Sequence, residues 1–286
     1  MLTLLPTPIG NLADITLRAL QALGEANVVM CEDIRVTKKL IALFGKNPII
    51  AEHFSAIFEK KDFVSFHSHN EKDFFKNLTQ DFFHQNNVVY MSDAGMPCVS
   101  DPGISLIAYA IANNIPYDVL PGASAGVVAY ASCGFDAQGF LFAGFLPHKQ
   151  KERRERILNL LQGCAYLEQS IPIVMYESPH RILDTLEDLA LLTPNARLFA
   201  IKEMTKMHQK YFIGQAREVC AQIESLNTSG EWVLVLFSDT KMERSLSSAQ
   251  ILQLDIPPKI KAKILSKLQN EDTKSLYKKI SMQVSV

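Results

Sequence analysis

Several features are missing from this chain of 286 residues, and each absence narrows what it can be. There is no uncharged apolar run near the ~18 residues of a membrane-crossing helix, so no membrane span is expected. The N-terminus enters directly into LTLLPTPIGN with no basic leader, and no secretory signal is expected. Cysteine is sparse: Cys31, Cys98, Cys133, Cys164 and Cys220 are odd in number and form no Cys-x-x-Cys pair. Free thiols in a reducing, cytoplasmic setting are the expectation. A dominant charge is also missing. The 29 Lys and Arg are balanced by 30 Asp and Glu, a formal net charge of −1. That argues against a protein that grips nucleic acid by bulk charge alone. Neither Gly-x-Gly-x-x-Gly nor a P-loop occurs, which removes the dinucleotide and nucleoside-triphosphate fingerprints. His-Glu-x-x-His and Cys-rich spacings are absent, and no metal is expected. His67 and His69 in FHSHNE share one side of an extended chain, but two His among loop polars read as hydrogen-bonding groups.

Charge is uneven along the chain. HKQKERRER at 148–156 is a dense basic run, and from Lys241 onward nine Lys or Arg face four Asp or Glu. The bland reading is a solvated helix face; the sharper one is an edge that touches phosphates.

What the chain does contain is alternation. Short β-branched runs (LTLL, NVVMC, NVVYM, IPYDV) alternate with helical patterns such as DITLRALQALG, RVTKKLIALF and ISLIAYAIANN. The stretch from Pro48 to Ser68 is aromatic-rich, with one strand expected near FVSFH, and Asn70 is a candidate cap for a helix over 71–84. Past PGAS at 121–124 the alternation restarts and runs to EWVLVLF. This is an α/β pattern. It predicts an N-terminal α/β domain over 1–120, a C-terminal α/β domain over 121–238, and a Lys-rich helical appendix over 239–286. The appendix carries Ile260, Ile264 and Leu268 at helical spacing.

Three polar loops, each after a strand, concentrate the chemistry: PTPIGNLADIT (6–16), SDAGMPCVSDPG (92–103) and PGASAG (121–126). Gly and Ala let backbone approach a ligand, Pro pre-sets the turns, and Asp93 and Asp101 offer acceptors. Strand-end loops of an open α/β sheet are where ligands bind. The expectation is a small-molecule pocket made of bent main chain rather than a charged cage.

PTPIGNLADITLRAL, CEDIRVTKKL, SFHSHNE, SDAGMPCVSDPG, LPGASAGVVAYASCG, FLFAGFLPHK, YESPHRILDTLEDL and KEMTK stand here in an order that resembles the ribosomal RNA small subunit methyltransferase I family, a branch of the tetrapyrrole-methylase-like (class III) S-adenosylmethionine enzymes. The resemblance runs from about Leu2 to Phe237. It departs at Met96, where the family commonly has Thr, at Ile34 and Val36, and in a longer aromatic stretch over 51–63. The resemblance implies two α/β domains with a cleft for S-adenosylmethionine. It implies methyl transfer to the ribose 2′-hydroxyl of a decoding-centre cytidine of 16S ribosomal RNA, the assembled small subunit as substrate, and a homodimer. Carried over by position, it puts the cofactor against Pro8, Ile9, Asp93, Ala94, Gly95, Met96, Ser124, Ala125, Tyr176, Glu231 and Trp232. RNA contacts fall on Asn11, Arg18, Arg35, Ser100, His180 and Arg181.

A ribose hydroxyl is a weak nucleophile, so a proton acceptor or a nearby cation is expected beside it. Glu203 with Lys202 and Lys206 in IKEMTK, His69 and Glu71 in HSHNE, and Arg35 with Asp33 are the candidates, with Glu203 or His69 favoured as acceptor; Lys202–Glu203 also reads as a plain surface ion pair, and Arg35 as a local partner of Glu32 or Asp33. Two other functions fit the same fold: a methylase acting on a tetrapyrrole or other small molecule, and a non-catalytic ribosome-assembly factor.

Overall fold

The computed structural model describes residues 1–79, 81–165, 171–238, 246, 248–269 and 271–283. The chain divides into two compact units, Met1–Thr240 and Lys241–Val286.

The first unit opens with a sheet of five strands: β1 (Leu2–Leu5), β2 (Val28–Cys31), β3 (Asp62–Ser65), β4 (Val88–Met91) and β5 (Tyr117–Val119), in the order β3-β2-β4-β1-β5. All its pairings are parallel. Parallel sheets are covered on both faces, and the apolar residues divide accordingly. Leu5, Val29, Val89 and Met91 pack under helices Leu17–Glu25 and Ile34–Phe44. Leu2, Leu4, Met30, Val88 and Tyr90 point the other way, under helix Gly103–Ala112 and the aromatic group from Phe66 to Phe83. The chain therefore leaves β1 over one face toward β2 and leaves β4 over the other toward β5. The connections from these two neighbouring strands cross to opposite faces, and such a switch point leaves a crevice at the carboxyl ends of the strands.

The second sheet contains β6 (Leu141–Phe145), β7 (Ile173–Glu177), β8 (Arg197–Lys202), β9 (Lys210–Gln215) and β10 (Trp232–Phe237), ordered β6-β7-β10-β8-β9. Only β6 and β7 run parallel; the other pairs are antiparallel. Central β10 is buried at every residue. One face packs on helix Ala125–Ser132, and Ile9 from the loop after β1 joins that core beside Val174, Ile201 and Val233. Helices Ile182–Leu192 and Ala216–Glu224 bury Leu186, Leu189, Val219 and Ile223. The boundary expected at 120/121 falls in the link between β5 and helix Ala125–Ser132.

Several local expectations shift. The helix read in DITLRALQALG spans Leu17–Glu25 with Thr16 as its cap, accepting the Ala19 N–H at 3.1 Å. A short 3-10 turn, Leu12–Asp14, precedes it under an Asn11 cap. Leu17 consequently faces solvent, and Ala19, Leu20 and Leu23 form the buried stripe. Residues 48–58 hold helix Pro48–His53 and a 3-10 turn before β3. Asn70 does not cap a long helix. Its amide accepts the His67 N–H at 2.8 Å and donates to Ser65 O at 2.8 Å, and two short helices, Glu71–Asn77 and Phe82–Gln85, follow.

Among its described residues the second unit has three helices, Ser248–Gln253, Pro258–Gln269 and Thr273–Gln283, around Ile251, Ala262, Leu265, Leu276 and Ile280. The stripe Ile260, Ile264 and Leu268 is not its core: these three are 47%, 37% and 59% exposed. No helix among the described residues is long and apolar enough to cross a membrane.

Candidate functional site

The loops after β1 and β4 are joined by backbone bonds in both directions: Thr7 N–H to Gly95 O at 3.0 Å and Gly95 N–H to Thr7 O at 3.1 Å. Ser92 Oγ donates to Gly95 O at 3.0 Å, and Thr7 Oγ1 donates to Ser92 O at 3.2 Å. Gly95 sits at φ +83°, where a side chain is strained, and a Cβ there would also lie 3.1 Å from Ile9 Cγ2. Farther along, Asp101 Oδ1 accepts from Cys98 N at 3.0 Å, Gly103 N at 2.9 Å and the Tyr90 hydroxyl at 3.2 Å. Asp101 thus shapes the turn. Burial, with Asp101 adding to it, pushes the Cys98 thiol up to about 11, so it is protonated and inert at neutral pH.

These loops face the second sheet across a cavity of about 330 Å³, within the range of small-molecule sites, roughly 300–1,000 Å³. Ile9, Ser92 and the run Asp93–Met96 form one wall. Ser124 and Ala125, at the start of helix Ala125–Ser132, close a side. The opposite wall comes from strand ends of the second sheet: Phe145, Tyr176, Glu177, Met204 and the run Glu231–Val233. The Tyr176 hydroxyl accepts the Gly126 N–H at 3.1 Å, tying β7 to the first turn of that helix. Burial pushes the Tyr176 phenol up, moderated by Gly126 and by the Ser124 hydroxyl. Residues 122–126 also match the Gly-x-Ser-x-Gly pattern of hydrolase nucleophile elbows. Ser124 has no such role here, because no His lies on the cavity wall.

The pocket is main chain and side chain rather than a cage of cations, and carboxylates stand on it: Glu32, Asp93, Asp101, Glu177 and Glu231 all line it. Three are engaged. Glu177 meets Arg181 at 2.7 Å and Thr185 Oγ1 at 2.7 Å, Glu231 meets Lys206 at 3.0 Å, and Asp101 holds its turn. Glu32 and Asp93 have no cationic partner among the described residues. Glu32 Oε1 accepts the Asp93 N–H at 3.3 Å. Burial raises the pKa of both; nearby Asp93 and Asp101 add to the effect on Glu32, and Asp33 to that on Asp93. Apart from these carboxylates the wall is largely apolar, and it carries no Lys, Arg or His. Apolar surface with carboxylate acceptors fits a ligand with a flat base, hydroxyl groups and cationic centres, which is the chemistry of S-adenosylmethionine.

Ten of the eleven residues expected at the cofactor line this cavity: Ile9, Asp93, Ala94, Gly95, Met96, Ser124, Ala125, Tyr176, Glu231 and Trp232. Pro8 is buried and is not on its wall. None of the candidate catalytic residues is on its wall. Glu203 binds Lys206 at 2.8 Å and the Glu231 N–H at 2.9 Å. Burial pushes its carboxyl up, but Lys206 and that N–H outweigh burial, and its pKa falls below the ordinary value. Such a carboxylate is a poor proton acceptor. Lys202 donates to Asn227 O and lies over the Trp232 ring at 5.7 Å. His69 is exposed on the loop after edge strand β3, its ring 6.0 Å from that of His67. No group of His, Cys, Asp and Glu among the described residues could hold a metal.

The residues expected at RNA scatter in role. Ser100 lines the cavity mouth, and His180 is exposed. Asn11 caps the 3-10 turn, and Arg18 pairs with Asp118 at 3.0 Å. Arg35 pairs with Asp33 at 2.7 Å and holds that carboxyl at about 2. Arg181 is drawn inward to Glu177 and to Leu146 O at 2.9 Å. The basic run is divided too. Arg153, 2% exposed, and Arg154 both grip the buried Asp188, at 2.7 and 2.6 Å, whereas Lys151 and Arg156 face solvent. Sequence reasoning missed Glu32, Glu177, Phe145 and Met204. Glu32 and Glu177 each stand where an apolar strand turns polar, a signal shared by many strand ends.

Comparison with known proteins agrees with this geometry. A family profile for tetrapyrrole (corrin/porphyrin) methylases matches residues 1–220. A Helicobacter pylori protein named ribosomal RNA small subunit methyltransferase I is 51% identical over 278 residues, covering 97% of this chain and 96% of its own. One of the same name from Campylobacter fetus is 41% identical, covering 98% and 99%. A crystal structure of diphthine synthase, 13% identical, superposes with a TM-score of 0.61 over 84% of this chain and 90% of its own, a likeness of fold. The chain belongs to the tetrapyrrole (corrin/porphyrin) methylase family, and within it to the ribosomal RNA small subunit methyltransferase I group.

Proposed function

We propose that this protein is a cytoplasmic enzyme that uses S-adenosylmethionine to methylate the ribose 2′-hydroxyl of a decoding-centre cytidine in 16S ribosomal RNA, acting on the assembled small subunit. One observation carries the reading: the loops after β1, β4 and β5 meet the strand ends of a second sheet around one cavity of about 330 Å³, in a chain that shares half its residues with a named relative over nearly its full length.

When bound, S-adenosylmethionine supplies an electrophilic methyl group on a sulfonium. The protein's share is placement and proton handling. Backbone of the run Asp93–Met96, pinned by the Thr7–Gly95 bonds, is a rigid wall that needs no reorganisation on binding. Trp232, Phe145 and Met204 give apolar walls that exclude water. Holding a hydroxyl in line with a reacting carbon can supply a large share of the barrier reduction. The hydroxyl proton has two candidate acceptors on the wall, the carboxylates of Glu32 and Asp93, whose raised affinity for protons suits the task.

Lys151 and Arg156, exposed on helix Gln150–Ala165, are the phosphate contacts of this reading. A homodimer is supported by edge strand β5, which exposes Tyr117 and Val119, and by the helix after it, which exposes Val127 and Val128; light scattering at micromolar concentration tests it.

The function is tested by incubating the protein with methyl-labelled S-adenosylmethionine and undermethylated small subunits, then mapping the product. Label on one decoding-centre cytidine ribose is expected. Label on a base, or on a tetrapyrrole and not on the subunit, would overturn the reading.

A further inference from the structure

The turn between β8 and β9 is strained and lies against the opposite lobe. Glu203 and Thr205, neither of them glycine, have φ of 53° and 65°, a region side chains avoid. Strain of this kind persists where surrounding structure enforces it. Gly10, from the loop after β1, is pressed onto the turn. A Cβ on Gly10 would lie 2.5 Å from Lys206 Cγ, 2.8 Å from Thr205 Oγ1 and 3.0 Å from Met204 O. The stem of Lys206 therefore covers first-lobe backbone. Its ammonium reaches Glu203 Oε1 at 2.8 Å and Glu231 Oε2 at 3.0 Å. Glu203 in turn holds Glu231 by two further bonds, its N–H to Glu231 O at 2.9 Å and its Oε1 from Glu231 N–H at 2.9 Å. Met204 and Glu231, on either side of this knot, line the cavity.

We propose that Lys206 is a positioning residue, a strut whose stem rests on Gly10 in one lobe and whose ammonium fixes the Glu231 carboxylate on the other, thereby setting the spacing of the two cavity walls. The proposal rests on the cavity being the S-adenosylmethionine site. A surface ion pair is the plain alternative, since the Glu231 side chain is 71% exposed and such pairs add little stability. The two readings differ in sign. Lys206 is a positive charge beside a pocket for a cation, so a charge-only role means that its removal tightens S-adenosylmethionine. A strut means that its removal loosens every ligand that spans both walls.

The test compares wild type with Lys206→Met, which keeps the stem's bulk and drops the ammonium, Lys206→Arg, which keeps the charge, and Gly10→Ala, which lifts the stem. Calorimetry follows S-adenosylmethionine and S-adenosylhomocysteine, which lacks the sulfonium charge. Lys206→Met is expected to weaken both by about tenfold with an unchanged melting temperature, Lys206→Arg to restore both, and Gly10→Ala to weaken both with the cation present. Unchanged binding in Lys206→Met, tighter binding of S-adenosylmethionine alone, or a loss of melting temperature that accounts for the loss of binding would overturn the strut. Failure of wild type to bind either ligand would overturn the functional reading itself.

Discussion

Asp188→Asn is the substitution whose effect follows most directly from the coordinates. The carboxylate is wholly buried and receives Arg153 Nε at 2.7 Å and Arg154 Nε at 2.6 Å. Arg153 is itself 2% exposed and donates to His148 O at 3.1 Å. The trio ties helix Gln150–Ala165 to helix Ile182–Leu192. An amide has nearly the same shape but no charge, so a buried guanidinium is left uncompensated. Removing one partner of a buried pair costs ~3–5 kcal/mol. At roughly 2–4 °C per kcal/mol for a body of this size, the melting temperature should fall by ~6–20 °C. The urea midpoint should fall with an unchanged slope, as expected if the native and unfolded states keep their compactness. Binding to small subunits, measured well below the melting temperature, should keep its salt dependence, because neither Arg153 nor Asp188 faces solvent. A drop below about 1 kcal/mol, or a flattened salt dependence, would refute the assignment of Arg153 to the core.

Other outcomes follow from the same coordinates. Replacing both Lys151 and Arg156 by Gln should leave stability alone and lower the salt slope of subunit binding by about 2, close to one per phosphate contact; an unchanged slope removes them from the interface. Tyr176→Phe strips the acceptor from the Gly126 N–H, and a net loss of ~1 kcal/mol should weaken S-adenosylmethionine about fivefold in calorimetry. Glu32→Gln tests the charge of the pocket. Burial raises the Glu32 pKa, so its contribution to stability is complete below the ordinary carboxylate pKa and is lost as pH rises through the folded value. The Gln variant should therefore melt higher than wild type at pH 7.5 and alike near pH 3.5, and its methyl transfer should fall. A variant that melts lower at neutral pH contradicts the burial argument.

Much of the fold could be read in the sequence because its strands are runs such as NVVMC and NVVYM, whose burial on both faces leaves few polar interruptions. The polar loops stood out because Pro, Gly and Asp cluster only where strands end. Helix bounds were harder: DITLRALQALG reads as one pattern, but Asp14 closes a 3-10 turn and the helix begins only after Thr16. The basic run misled because Arg153 is decided by Asp188, 35 residues away. The cavity's second wall was legible only through resemblance. Tyr176 and Glu231 line one cavity because β7 pairs with β10, with Val233 opposite Tyr176, and no spacing in the sequence announces that pairing. Glu203 looked catalytic by its company in KEMTK; the same company, Lys206 above all, draws down its proton affinity.

The central claim is that the crevice between the two sheets seats the methyl donor. Titrating S-adenosylmethionine into wild type and into Ala125→Leu, which adds bulk at the cavity wall without disturbing a helix-forming position, tests it most directly. The account predicts one site per chain in wild type and at least a tenfold loss in the variant, at about 1.4 kcal/mol per tenfold, with the melting temperature preserved. Equal affinity in the two proteins would place the donor elsewhere and contradict the account.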